Sequence, residues 1–230
     1  MDQVENTNVN KMGVFERIIK VFYAPSKVME AIKSEPKILI PWLGVLIFSM
    51  LLSFMNMEAV KESLVQSFMA TQAQTGLEIT EGYIQTMAIV SAITGSLFLS
   101  AIPFITGLLA HVVGLIVGGK GSVKKSLSVV MTSMYITLVG SLLTMLVSMG
   151  LNTQLTFSLG YAIPGITNLS LKTILMSVEV FTIWALIVNT IGMKKVHEVS
   201  TVKAFLMVFI PQVLYIALSL IGIGAAQSMM

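Results

Sequence analysis

Residues 84–118 run for 35 positions without a charged side chain. An uncharged apolar run of that length belongs in a bilayer, where a helix satisfies every backbone group internally. At 1.5 Å per residue it is about 52 Å long, well beyond a hydrocarbon core of about 30 Å. Either the helix tilts strongly or its first half stands outside the membrane, and the amphipathic segment before it favours the second. Shorter apolar stretches at 38–56, 127–150, 173–193 and 204–226 read as further spans. Charged residues make up only 11% of the chain and hydrophobic residues 55%, against about 25% charged in a soluble domain. The fold class is all-α, a polytopic integral membrane protein with five transmembrane helices at about 38–56, 97–118, 127–150, 173–193 and 204–226.

Between the first two spans the helical pattern continues. Val60, Leu64, Val65, Phe68 and Met69 share one face, and Glu58, Lys61, Glu62 and Gln66 are polar. This segment is the natural antiparallel partner for the first half of 84–118. The two form an external helical hairpin over about 57–96 that extends the first and second spans. Thr75-Gly76 turns the chain, Thr80 caps the next helix with Ile79 stapled onto Ile84, and Pro103 kinks it. The loop at 152–171 carries short strand-like pieces at most.

Basic residues orient the bundle. Six Lys or Arg precede the first span, three lie between the second and third, and three between the fourth and fifth. The other two loops carry one each and the C-terminal tail none. Twelve against two places the N-terminus in the cytoplasm and, after five spans, the C-terminus outside. Residues 1–37 form a cytoplasmic N-terminal segment. Its first dozen residues are polar and expected to be disordered, with no basic region leading into an apolar core of the signal-peptide type. Amphipathic helices over 13–22 and 26–32 follow. They either lie on the cytoplasmic leaflet or cap the bundle from below. The membrane domain covers 38–226.

Three stretches carry a likeness. They are F-Y-A-P-S-K-V-M-E-A-I-K before the first span, G-K-G-S-V-K-K-S-L after the second, and F-T-I-W-A-L-I-V-N-T-I-G-M in the fourth. With the five-span layout they resemble bacterial members of the Yip1 family, from Phe22 onward. The resemblance implies a five-helix membrane domain with a cytoplasmic N-terminus, agreeing with the charge count. It also implies an accessory role beside other membrane machinery, exporters included, in the bacterial cytoplasmic membrane. Eukaryotic relatives bind Rab-type GTPases. Their acidic N-terminal segment is missing here, so that activity is not carried over.

The chemistry-bearing residues are sparse. Glu179 is a carboxylate within the fourth span, a costly placement that demands a partner or a cavity. It reads as a proton or cation site, or as a structural carboxyl. His111 is expected about 10 Å from the cytoplasmic face, at a depth that keeps it from Glu179, and reads as a packing histidine. Trp184 and Asn189 complete the intramembrane polar candidates. Lys120, Lys124, Lys125, Lys194 and Lys195 read as topology signals or as contacts to anionic lipid heads. Residues 114–120 match G-x-x-x-x-G-K, but Gly121 follows where Ser or Thr is required, and a membrane helix precedes in place of a strand. Gly114 and Gly118 fit a small-residue packing face better.

With no cysteine, thiolate sites and disulfides are excluded. No catalytic motif, metal site or cofactor site is expected. The seventeen methionines serve adaptable packing, and Asn168-Leu169-Ser170 has meaning as a glycosylation acceptor only outside bacteria. The resulting expectation is a non-enzymatic accessory or assembly protein. Its partners are the bilayer and another membrane protein or complex, such as an ABC-type exporter, with no nucleic acid. Two rivals are a transporter or channel using Glu179 and a lipid-organising protein. Few polar groups in the spans and no internal repeat speak against the transporter.

Overall fold

The computed structural model describes residues 12–75, 80–151, 153 and 155–228. The polar start of the chain, the Gly76 turn and the Ile79 staple lie outside them. Among the described residues every regular element is a helix. Two short helices, α1 (Val14–Lys20) and α2 (Pro25–Ser34), lead into α3 (Leu39–Met55) and α4 (Met57–Thr75). Then come α5 (Glu81–Ile116), α6 (Val123–Leu151), α7 (Leu159–Ala162), α8 (Leu169–Ser177), α9 (Val180–His197) and α10 (Thr201–Ser228).

Helix α5 is the hub and packs on α3, α4, α6 and α10. The reason lies in its sequence. Ala88, Ala92, Ser96, Ser100, Pro103, Gly107, Ala110 and Gly114 recur every three to four residues and form one buried seam. Small side chains let neighbouring backbones approach, which is how helices associate where lipid removes the hydrophobic drive. A β-carbon on Gly107 would sit 3.2 Å from the Cα of Leu127 in α6. The Ser96 hydroxyl lies 3.2 Å from that of Ser53 in α3.

Three helices, α5, α6 and α10, are long and apolar enough to cross a membrane. The pair α3 and α4, bent by 69° at Asn56, counts as a fourth if it forms one span. The fourth span read from the sequence differs. Residues 173–193 are not one helix: α8 ends at Ser177, and α9 begins at Val180. A short antiparallel bridge between Ser158 and Glu179 occupies the break. The Leu159 amide donates to the Val178 carbonyl at 3.0 Å, and the Val180 amide to the Phe157 carbonyl at 3.1 Å. The loop before α7 thus takes backbone bonds that a continuous helix would have used. What remains of α9 ends in Lys194, Lys195 and His197.

All the basic clusters meet at one end of the bundle. Lys33 pairs with Glu198 at 2.8 Å, Lys195 pairs with Glu30, and Lys203 Nζ donates to the Val117 carbonyl at 2.7 Å. Helix α2 closes this end, with Val28, Met29 and Ile32 fully buried against α6 and α9. The only arginine pins it. Arg17, 2% exposed, donates to the carbonyls of Met12 and Glu35 and lies 3.5 Å from the Glu35 carboxylate. Helix α2 is therefore a cap. Helix α1 still presents Phe15 and Ile19 outward. At the start of α3, Pro41 cannot donate to the Lys37 carbonyl, and the Ser128 hydroxyl does so instead at 2.9 Å.

Candidate functional site

One face of α6 carries Ser126, Ser133, Thr137, Ser141, Thr144 and Ser148. At 100° per residue these six hydroxyls fall within an arc of about 80° and extend over about 33 Å. They join two polar sites at opposite ends of the bundle.

At the lysine-rich end, His197 is fully buried. The α5–α6 connection wraps it. Helix α5 ends in a Schellman motif, with the Gly118 amide donating to the Leu115 carbonyl and the Gly119 amide to the Gly114 carbonyl. Gly118 takes the required positive φ of 85°. The ring of His197 then fits among three glycines. A β-carbon would lie 3.0 Å from the ring at Gly114, 2.6 Å at Gly119 and 2.8 Å at Gly121. The Gly121 amide donates to His197 Nδ1 at 3.2 Å, and the Lys120 amide to the His197 carbonyl at 3.0 Å. His197 Nε2 lies 2.7 Å from Ser126 Oγ. His111 stands alongside, with its ring 5.5 Å from that of His197 and its Nδ1 3.5 Å from Ser126 Oγ.

A serine 2.7 Å from a buried imidazole resembles a nucleophile and its base. The hydrogen bonds assign it otherwise. A backbone N–H already donates to Nδ1, so the neutral ring carries its proton on Nε2. Nε2–H therefore donates to Ser126 and cannot take a proton from it. Burial, then the charges of His111 and Lys125, push the His197 pKa down to about 4. This end is a closed plug.

The other end is open. Glu179 stands at the N-cap of α9, where one carboxylate oxygen, Oε2, accepts from the Thr182 amide at 3.0 Å and its hydroxyl at 2.8 Å. Glu179 lines a cavity of about 630 Å³ whose walls include Ser141, Thr144, Ser148 and Thr156. A second cavity of about 140 Å³ shares the walls Thr137 and Thr182 and continues to Ser133, Asn189 and Gln212. Asn189 Oδ1 is buried there without a hydrogen-bond partner.

A family model described as the Yip1 domain matches residues 19–223. The chain belongs to the Yip1 family. No curated protein and no solved structure matches it significantly. The match and the apolar helices together make it an integral membrane protein.

In this Yip1-family protein the residues singled out from sequence are dispersed. Glu179 sits at a helix boundary, not inside a continuous span. His111 is far along α5 from that boundary and belongs to the His197 plug. Trp184 is 39% exposed on the outer face of the bundle. Asn189 lines the deeper cavity. Lys120, Lys124, Lys125 and Lys194 stay at the surface of the lysine-rich end, with Lys195 held by Glu30. Gly118 ends a helix and does not serve a packing face.

Sequence reasoning missed three features of this Yip1 domain. It passed over His197, which lies beyond the fourth span beside Glu198. It missed the α6 hydroxyls, which give the interior more polar groups than the hydropathy of the spans suggested. It also missed the role of the glycine-lysine run. Those glycines cradle an imidazole, not a phosphate.

Proposed function

We propose that this protein is a five-span, non-enzymatic accessory protein of the bacterial cytoplasmic membrane. Its lysine-rich end faces the cytoplasm and its C-terminus lies outside. It docks other membrane proteins, exporters such as ABC transporters among them, through the external hairpin of α4 and the first half of α5. One observation carries this reading. The hairpin holds together through Phe68 against Tyr83, ring centroids 5.5 Å apart, and through buried Ile84, Ala88 and Ala92. Beyond these contacts it leaves Met69, Ile89, Val90 and Ile93 exposed, Met69 by 63%. An apolar surface on a projecting hairpin is what a partner helix covers.

The closed His197 plug supports docking over conduction, because it fills the interior below the two cavities. Its tautomer supports a non-enzymatic role. Cross-linking in intact cells from photoreactive residues at Met69 and Val90, followed by purification in mild detergent, tests the proposal. It predicts one stoichiometric membrane partner captured from these positions and not from Val202 at the opposite end. Recovery of the uncrosslinked chain alone would refute it.

A further inference from the structure

The Glu179 cavity has a chemistry that the docking reading does not use. Its walls include no lysine or arginine, and Glu179 is the only ionisable group among them. The N-cap accounts for one carboxylate oxygen, Oε2. Among the described residues, Oε1 makes no hydrogen bond or ion pair, and the hydroxyls of Ser141 and Thr144 have no protein partner. An independent observation lies deeper. Among the described residues, Asn189 Oδ1 is a buried acceptor with no donor, on the wall of the adjoining cavity. An unmet buried acceptor is costly, so native proteins meet it with water or a ligand. Both unmet groups need something that donates, and the outer one is a carboxylate.

We propose that the two cavities form a binding site for a small organic cation bearing a primary ammonium group. The ammonium supplies up to three N–H donors and neutralises Glu179. Its alkyl part rests on Met145, Met149, Met176 and Leu155, which share the outer cavity with the hydroxyls. A divalent metal ion fits poorly. Such ions take several carboxylate or carbonyl oxygens at short range. Among the described residues no three His, Cys, Asp or Glu converge. A cavity of about 630 Å³ also exceeds what a bare monovalent ion fills. Its mixed apolar and hydroxyl lining matches the general pattern of small-molecule sites.

The experiment uses the full chain in lipid nanodiscs, titrated with n-propylammonium chloride at constant ionic strength, with sodium chloride as the counter-probe. Binding is read by calorimetry and by the shift in melting temperature. Saturable binding of propylammonium but not sodium is expected. Glu179→Gln keeps an amide oxygen for the Thr182 cap and should weaken binding about tenfold or more, the loss of one charge-assisted contact. Thr144→Val preserves shape and should weaken it severalfold. This variant decides the matter if Glu179→Gln does not fold. Equal responses to sodium and propylammonium, no saturable response, or undiminished binding in the folded variants would overturn the proposal.

Discussion

His197 and Ser126, 71 residues apart in sequence, meet at 2.7 Å in the closed end of the bundle, with the imidazole donating and the hydroxyl accepting. That contact ties α9 to α6, with Gly114, Gly119 and Gly121 of α5 and the α5–α6 connection packed against the ring. It makes the neutral state of His197 part of the fold.

Stability should therefore fall in mild acid. The folded protein holds the His197 pKa near 4, below its ordinary value of 6.5. The contribution is complete above about pH 6.5. It is lost as pH falls towards 4, because the unfolded chain takes up the proton first. The loss amounts to as much as about 3 kcal/mol. Thermal melts from pH 7 to pH 4.5 should show this slope in the parent and a flatter one in His197→Gln, whose amide can serve Gly121 and Ser126 without titrating. Parallel slopes in the two proteins would refute the assignment.

Two glycine substitutions should behave in opposite ways. Gly121→Ala places a methyl 2.7 Å from the Val196 carbonyl and 2.8 Å from the His197 ring. Backbone cannot yield cheaply there, and a cost of about 2 kcal/mol or more is expected. Gly95→Ala in α5 meets nothing within 4 Å and should stabilise by about 0.5–1 kcal/mol through helix propensity. The order of melting temperatures checks both.

Arg17→Ala should release the N-terminal helices while leaving the bundle folded. Two carbonyls lose their donor and a buried side chain leaves a gap, a loss of about 3 kcal/mol. Limited trypsin digestion should then cut at Lys20 and Lys27 well before the parent is cut. Unchanged protection would show that α2 alone holds the cap.

The chain has no native cysteine, so single-cysteine variants report topology without background. Thr167→Cys, in the loop between α7 and α8, should react with a membrane-impermeant maleimide in intact cells. Val202→Cys, at the start of α10, should react only after permeabilisation. The reverse pattern would invert the proposed orientation.

Much of the architecture was legible because it follows from single residues. Lysines flank the apolar runs and, in the structure, the basic loops gather at one end. Thr80 caps α5, its hydroxyl accepting from the Tyr83 amide. The amphipathic segment after Asn56 folds back on α5. Other features were illegible because they depend on distant partners. The break at Glu179 exists because Phe157 and Leu159, about twenty residues upstream, take the backbone bonds of Val180 and Val178. His197 becomes a core residue only once the α5–α6 turn closes over it. The α6 hydroxyls were readable in principle, since their spacing is helical. Ser and Thr sit near the middle of hydropathy scales, so a search for apolar periodicity passes over them.

Helix α5, at 36 residues, measures about 54 Å, while the oily layer it enters is about 30 Å deep. On the proposed orientation, with its C-terminus moored beside the lysines and the rod upright, some 24 Å of it rises clear of the lipid. Whatever grips the tip is held at that fixed height, as by a ruler. A partner lying flush with the membrane surface would pass beneath it untouched.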